Sequence, residues 1–338
     1  MLYLFCSIAY VKRNNQYSST KHEMNWGIMK IIRNVDYITQ EYRDSDVTIG
    51  NFDGIHLGHQ ELLKKTVKES KEANRKSIVI TFDPHPKKVV HPERRPFFLL
   101  NTLEEKLRLI ESFDIDIVIL ISFTTAFSKT TAEEFVSNIL WDKLHLNKLF
   151  IGYDYAFGKS KEGNAAFLRT FGEKLGFQVE EIGAVTIDDT IVSSTSTRLS
   201  ILKGDVRGAS RMLARPYNMS GTVVKGFRRG TEIGFPTANI ESEKVIPAEG
   251  VYAIIGEVEG TQHQGVINIG YNPTFGNEEL SMEVHLLDFQ GDIYGKTIDI
   301  QFIDRLRDEM KFDSPDKLVV QIKKDIDRAK EILAPYPL

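Results

Sequence analysis

From residue 46 to about residue 183, short apolar runs alternate with stretches of helical period. The runs at 46–52, 77–82, 117–123, 148–153 and 178–182 predict strands. The second and third are nearly unbroken Ile, Val and Leu, which suits strands covered on both faces. Start signals mark the helices between them. Thr102 with Glu105, and Thr131 with Glu134, have the spacing of capping boxes, each ahead of an apolar helical stripe. A further helix is expected over 57–73. Strands alternating with helices predict a doubly wound α/β domain, with ligands at the carboxyl ends of its strands.

Residues 193–214 read as two short helices split near Gly204-Asp205. After Tyr217 the rhythm changes to period two. Residues 251–257, 283–287 and 297–302 alternate, and glycine-containing turns separate them. That pattern predicts a small antiparallel β-barrel. An amphipathic helix over 314–333, carrying Leu318, Ile322, Ile326 and Ile332, closes the chain. The expected organisation is thus an α/β domain over 29–185, its end and a helical connector over 186–216, and a barrel domain over 217–338.

Residues 1–28 fit neither rhythm. The apolar run 1–11 is too short to span a bilayer, and no basic residues precede it as in a signal peptide. The segment is read as a disordered extension or a start codon placed too early, with Met29 the natural start. A short docking strand is the alternative.

The chain's 338 residues are enough for two ordinary domains. Its 43 Lys and Arg against 47 Asp and Glu give a net charge of −4, so no global basic field would hold nucleic acid. The single cysteine, Cys6, excludes an internal disulfide or a multi-cysteine zinc site and fits a reducing cytoplasm. No membrane association is expected.

The most informative stretch is Gly50-Asn51-Phe52-Asp53-Gly54-Ile55-His56-Leu57-Gly58-His59, between a strand and a helix. Small residues let a backbone approach a ligand closely, and a helix N-terminus offers unpaired N–H groups. His56 and His59 share one helical face. Together they suit a polyphosphate cradle with two imidazole donors. A metal pair is the bland alternative, but no third ligand is evident nearby; simple capping is another. The pattern resembles the HxGH element of the nucleotidyltransferase superfamily.

A second element, Ser193-Ser194-Thr195-Ser196-Thr197-Arg198, would supply hydroxyls, helix N–H groups and a guanidinium fork to phosphate. Alone it reads as a helix cap. With the histidines it forms the other half of a phosphate clamp, through Ser194, Thr195 and Arg198. Two segments at strand ends, Asp83-Pro84-His85-Pro86 and the run around Asp154, are candidates to hold an acceptor.

In the barrel half, Gly226 and Gly234 flank a basic loop that leads into Pro236-Thr237-Ala238-Asn239. No P-loop pattern occurs. Thr237 and Asn239 offer neutral oxygens to magnesium, which takes few protein ligands and completes its shell with water and phosphate. Glu283 stands in an alternating strand where a carboxylate could accept a hydroxyl proton. An exposed strand glutamate is the commoner reading.

Taken in order, GNFDGIHLGHQ, TFDPHP, GYDYAFG, VSSTSTR, GFPTANI, NIGYNPTFG, MEVHLLDF and LRDEMKFDS resemble the bacterial bifunctional riboflavin kinase/FMN adenylyltransferases, or FAD synthetases, from Met29 to the C-terminus. The resemblance implies two ATP-dependent reactions: riboflavin to FMN in the barrel, then FMN to FAD in the α/β domain. It implies Glu283 as base, Mg2+ at Thr237 and Asn239, and ATP phosphates at His56, His59, Ser194, Thr195 and Arg198. Nucleotide would also meet Gly50, Asn51, Phe52, Asp53, Gly54, Gly58, Gly226, Gly234 and Pro236. Flavin would meet Asp83, Pro84, His85, Pro86 and Asp154, and a mobile segment carrying Arg307 and Phe312. Three positions depart from the family pattern: Thr231 and Lys161, where arginine is usual, and Thr197, where an aliphatic residue is. Those at Thr231 and Thr197 keep open an enzyme with one live activity; a flavin- or nucleotide-binding regulator without turnover is a further reading, against which Glu283, both histidines and the Thr237/Asn239 pair argue.

Overall fold

The computed structural model describes residues 23–336, except 91, 94–96, 225–233 and 273–278. Gly226, Thr231 and residues 1–22 therefore lie outside the described residues. The described chain divides into two compact units, residues 23–202 with 208–215 and residues 203–207 with 216–336.

The first unit is a seven-stranded sheet between helical layers. Its strands are β1 (Glu23–Trp26), β2 (Met29–Ile32), β3 (Asp46–Ile49), β4 (Ser77–Asp83), β5 (Ile117–Ser122), β6 (Lys148–Gly152) and β7 (Gln178–Ile182), in the spatial order β1-β2-β5-β4-β3-β6-β7. β2 to β7 run parallel, and β1 pairs antiparallel with β2. The helices are α1 (Leu57–Glu72), α2 (Pro86–Val90), α3 (Leu103–Glu111), α4 (Ala132–Glu134) and α5 (Ala165–Leu175). α4 runs straight into a π-helix, Phe135–Lys143. Both predicted capping boxes form, at Thr102 and Thr131.

Strand alternation sorts the core. Val47, Ile49, Ile78, Ile80, Ile119 and Ile121 face the π-helix and α5. Met29, Ile31, Val79, Val118, Leu120 and Phe150 face α1 and α3. The order reverses between β3 and β6: the chain passes from β3 outward to β4 and β5, then returns to β6 on the other side. That switch point opens a crevice at the carboxyl ends of β3 and β6.

For residues 23–26 the alternative reading, a short docking strand, is the one the structure shows. Residues 23–26 are not part of an extension but a strand, closed onto β2 by a two-residue turn with Gly27 at φ +61°. The alternating sequence EMNW followed by glycine is a hairpin pattern.

A small hairpin, β8 (Thr186–Ile187) with β9 (Thr190–Ile191), precedes α6 (Ser194–Leu202) and α7 (Val206–Leu213). These last two are the paired helices expected around Gly204.

The second unit is a closed antiparallel barrel of six strands, β10 (Tyr217–Val224), β11 (Ala238–Glu241), β12 (Gly250–Val258), β13 (Thr261–Asn272), β14 (Glu279–Leu286) and β15 (Thr297–Arg307), in the order β10-β11-β14-β13-β12-β15. The helix α8 (Pro315–Leu333), capped by Ser314, packs Ala329 and Leu333 on Val251, Ala253, Ile255 and Val266. The alternation signal had shown only parts of β12, β14 and β15. β10, β11 and β13 carry Asn, Ser, Gly and Gln at positions where strand propensity is low.

Candidate active site

At the switch point lies a cavity of about 850 Å3, within the range of small-molecule sites. Its walls include Gly50, Asn51, Asp53, His56, Gly58 and His59 after β3, His85, Pro86 and Lys87 after β4, Tyr153, Asp154 and Lys161 after β6, and Ser194, Thr195 and Arg198 of α6. The sequence separates these groups by up to 148 residues, from Gly50 to Arg198, and the sheet topology brings them together.

His56 is the N-cap of α1, and its Nδ1 accepts the His59 N–H at 3.4 Å. That contact leaves the ring proton on Nε2, a donor. The two imidazoles stack with centroids 3.7 Å apart. Burial, then the charge of Arg215, pushes His56 down to about 4. Burial, then His56 and Lys106, holds His59 well below the usual histidine range. At neutral pH both are uncharged donors beside a helix N-terminus. The loop before them is strained: Phe52 and Ile55, both fully buried, sit at φ +49° and +43°. Left-handed geometry costs a β-branched residue on the order of 1–3 kcal/mol, and such strain collects at functional sites.

The α6 element is more built than a cap. Ser193 and Ser196 exchange backbone-to-hydroxyl bonds at 2.9 and 3.1 Å and close the helix end themselves. Ser194 Oγ is spent on the Asp53 carbonyl at 2.8 Å. Arg198 pairs with Asp53 Oδ2, donates from Nε to the Phe98 carbonyl at 3.1 Å, and lies 4.6 Å over the Phe97 ring. The fold accommodates the hydroxyl of Thr197: the residue is buried, and its Oγ1 donates to the Ser193 carbonyl at 2.8 Å.

Several expected contacts are redistributed. Phe52 packs in the core against His59, ring centroids 5.1 Å apart, and supports the imidazole from behind. Gly54, at φ +86°, has Leu100 where a Cβ would go. Neither lines the cavity, nor does Pro84. Asp83 lines a separate pocket of about 20 Å3 beside Lys106. Asp53 reaches the cavity, but its carboxylate is 3% exposed and engaged by Arg198 and by the Leu100 N–H. The carboxylate thus braces the guanidinium. His85 is buried, its Nδ1 accepting from the Lys87 N–H at 3.1 Å. Burial, then Lys106, Lys87, Arg198 and Lys88, pushes it down to about 3. The cationic groups gathered around it make this end of the cavity a place for anions.

Sequence reasoning missed Lys106. Its Nζ bonds the Asn51 carbonyl, Thr81 Oγ1 and the Phe82 carbonyl, each at 3.3 Å, tying together the ends of β3 and β4. Burial pushes it down to about 8 against the pull of Asp53 and Asp83. The signal was present, since Leu103, Lys106, Leu107 and Ile110 share one helical face.

In the barrel, register places Asn239 of β11 opposite Glu283 of β14, and Glu283 opposite Asn268 of β13. Paired residues share a face, so the three polar side chains form a row across three strands. Asn268 was not singled out in the sequence, although it belongs to the NIGYNPTFG stretch. The Pro236 carbonyl is 2.9 Å from His285 Nδ1, which pins the turn bearing Thr237 to β14. Gly234 and Pro236 are exposed. Arg307 lies in a strand rather than a loop. It ends β15 with a two-oxygen grip on buried Asp325 of α8, at 2.9–3.1 Å, and lies 5.9 Å over Phe312.

The oxygens of Thr237, Asn239 and Glu283 are the hard donors magnesium favours. Among the described residues no group of three His, Cys, Asp or Glu side chains could hold a metal by itself. Such a set would supply a minority of the ligands and leave the rest to phosphate and water.

A family model described as FAD synthetase matches residues 38–196, and one described as riboflavin kinase matches residues 213–333. The bifunctional riboflavin kinase/FMN adenylyltransferase of Listeria monocytogenes is 37% identical over 292 residues, 85% of this chain and 92% of that protein. That of Escherichia coli K12 is 35% identical over 308 residues, 90% and 97% of the two chains. A crystal structure described as a macrolide-efflux protein from Streptococcus pneumoniae superposes with a TM-score of 0.81 at 34% identity, covering 90% of this chain and 99% of that one. Among the described residues no helix is long and apolar enough to cross a membrane.

Proposed function

The chain belongs to the family of bifunctional riboflavin kinase/FMN adenylyltransferases, and on that premise we propose how its residues divide the two reactions. The enzyme phosphorylates riboflavin to FMN with ATP, then adenylylates FMN to FAD with release of pyrophosphate. Adenylylation is assigned to the α/β unit and phosphorylation to the barrel. The observation that carries the first assignment is the stacked, uncharged His56–His59 pair at a helix N-terminus, in the wall of a cavity rich in cations.

In that cavity an FMN phosphate oxygen attacks the α-phosphorus of ATP, and the bond to the β-phosphate oxygen breaks. Both reactants are ionised at neutral pH, so no strong base is required; positioning and charge stabilisation carry the rate. His56 and His59 donate to phosphate oxygens, where negative charge grows as pyrophosphate leaves. Thr195 and the α6 N-terminus serve the same charge from the other side. Arg198, aimed by Asp53 and Ser194, adds its guanidinium. Losing one such donor costs about 2.7–4 kcal/mol by analogy with oxyanion-hole deletions. His85, Pro86 and Asp154 border the acceptor.

In the barrel, Glu283 takes the proton of the riboflavin 5′-hydroxyl as its oxygen attacks the terminal phosphorus of ATP. Asn268 and Asn239 flank that carboxylate in the row. Thr237 and Asn239 would hold Mg2+, which when bound neutralises phosphate charge. Phe312 is assigned to the flavin side.

The test is chromatography of the flavins formed by single variants. His59→Ala should stop FAD formation and spare FMN formation, and Glu283→Gln should stop FMN formation yet still convert supplied FMN to FAD. A full-speed assigned step in either variant would remove that residue from the mechanism.

A further inference from the structure

The loop that delivers His56 and His59 is held by its carbonyl oxygens, and two of the groups that hold it have no part in the chemistry above. The Gly54 carbonyl accepts from Arg215 Nη2 at 2.7 Å. The Ile55 carbonyl accepts from Arg215 Nη1 at 3.3 Å and from Gln60 Nε2 at 3.0 Å. Both side chains also reach the Leu213 carbonyl at the end of α7, Arg215 at 3.1 Å and Gln60 at 2.8 Å. Arg215 therefore bridges two consecutive carbonyls with two nitrogens and fastens them to α7. Burial pushes this guanidinium down to about 10. Among the described residues no carboxylate lies within ion-pair distance of it, so its donors are spent on backbone rather than on a counter-charge.

The carbonyls it grips belong to Gly54, at φ +86°, and Ile55, at φ +43°. A β-branched residue does not hold left-handed geometry by itself. Something outside the loop must hold the chain in that shape up to His56, the N-cap that turns it into α1. We propose that Arg215, assisted by Gln60, is a positioning residue for adenylyl transfer, fixing the entry to α1 so that both imidazoles and the first helical N–H groups point at the ATP phosphates. The proposal rests on reading this loop as the phosphate cradle. The planar fork is the necessary feature: lysine keeps the charge but offers one nitrogen and cannot bridge the two carbonyls in the same way.

The experiment uses the full-length enzyme and the variants Arg215→Lys, Gln60→Leu and His59→Ala. FAD formation from FMN is measured with ATP and FMN varied in turn, and FMN formation from riboflavin is measured on the same preparations. Arg215→Lys should raise the ATP KM about tenfold, with the FMN KM and the kinase rate at wild-type values. Gln60→Leu should move the same parameter in the same direction by about threefold. An unchanged kcat/KM for ATP in both variants overturns the proposal. So does a fall in kcat with both KM values unmoved, the mark of fewer folded molecules. If Arg215→Lys does not fold, Gln60→Leu decides alone, and a wild-type value for ATP sinks the idea. His59→Ala separates the two levels. Loss of FAD formation there with normal Arg215→Lys defeats only this inference, whereas full activity of His59→Ala defeats the phosphate-cradle reading itself.

Discussion

Arg198→Met removes the cation from a carboxylate that has almost no contact with solvent. Asp53 is 3% exposed; Arg198 donates to its Oδ2, and the Leu100 N–H donates to its Oδ1 at 2.9 Å. Burial already raises this carboxyl above the usual range despite Arg198. Without the guanidinium, only the Leu100 and Asn101 amides and the charge of Lys106 oppose desolvation. Breaking a buried pair from one side costs about 3–5 kcal/mol. The adjoining cavity lets water in, which favours the lower end, about 3 kcal/mol, and raises the carboxyl further. A neutral carboxyl needs no cation. The penalty is therefore absent below the unfolded carboxyl pKa and complete once the pH passes the raised folded value. The variant should be about 3 kcal/mol less stable than wild type at pH 8, with a visibly smaller deficit at pH 5. Adding Asp53→Asn should restore most of the loss at pH 8 without restoring FAD synthesis. Urea unfolding followed by tryptophan fluorescence reads the first unit alone, since Trp26 and Trp141, the chain's two tryptophans, both belong to it. An equal deficit at both pH values, or no gain from the second substitution, refutes the argument.

Three further outcomes follow from the geometry. Gly54→Ala places a Cβ 2.6 Å from Leu100 Cδ1 at φ +86°, so it should cost about 1–2 kcal/mol for the backbone and a similar sum for overpacking, read in the same urea experiment. His56, lowered from 6.5 to about 4, gives stability that is complete above its unfolded pKa and is lost as pH falls through about 4; the loss, up to roughly 3 kcal/mol, should be missing in His56→Asn. Asp325→Ala leaves Arg307 without its partner between β15 and α8, so thermal inactivation of FMN synthesis should come several degrees earlier while FAD synthesis from FMN keeps its wild-type half-life.

The parts legible in the sequence were those written locally. Both capping boxes, the break between α6 and α7, and the unbroken apolar runs of β4 and β5 each need only a few neighbouring residues. The runs at 46–52, 117–123 and 148–153 were read one to three residues too long, because the apolar stretch continues past the last ladder bond into the loops that face the cavity. Phe52 shows why: it looks like strand, and in the structure it is an αL residue buried behind His59. The groups that hold the site from behind were invisible for a different reason. Lys106 lies in a charged helical segment and Arg215 beside a proline, and nothing near them reveals that their partners are carbonyls 24–55 residues away for Lys106 and 160–161 for Arg215. The ion pair of Arg307 is illegible for the same reason, since its counter-ion Asp325 comes from a helix 18 residues further along.

The barrel closes through β10 and β15, so every one of its six strands has a neighbour on each side. The α/β sheet instead stops at β1 and β7. Among the described residues of its second half, a chain overproduced in a crowded cell therefore offers no open strand edge as a template for aggregation. Any such sticking must begin at the first, where four-residue β1 is too short, and β7 with Glu180 and Glu181 too charged, to recruit another copy readily.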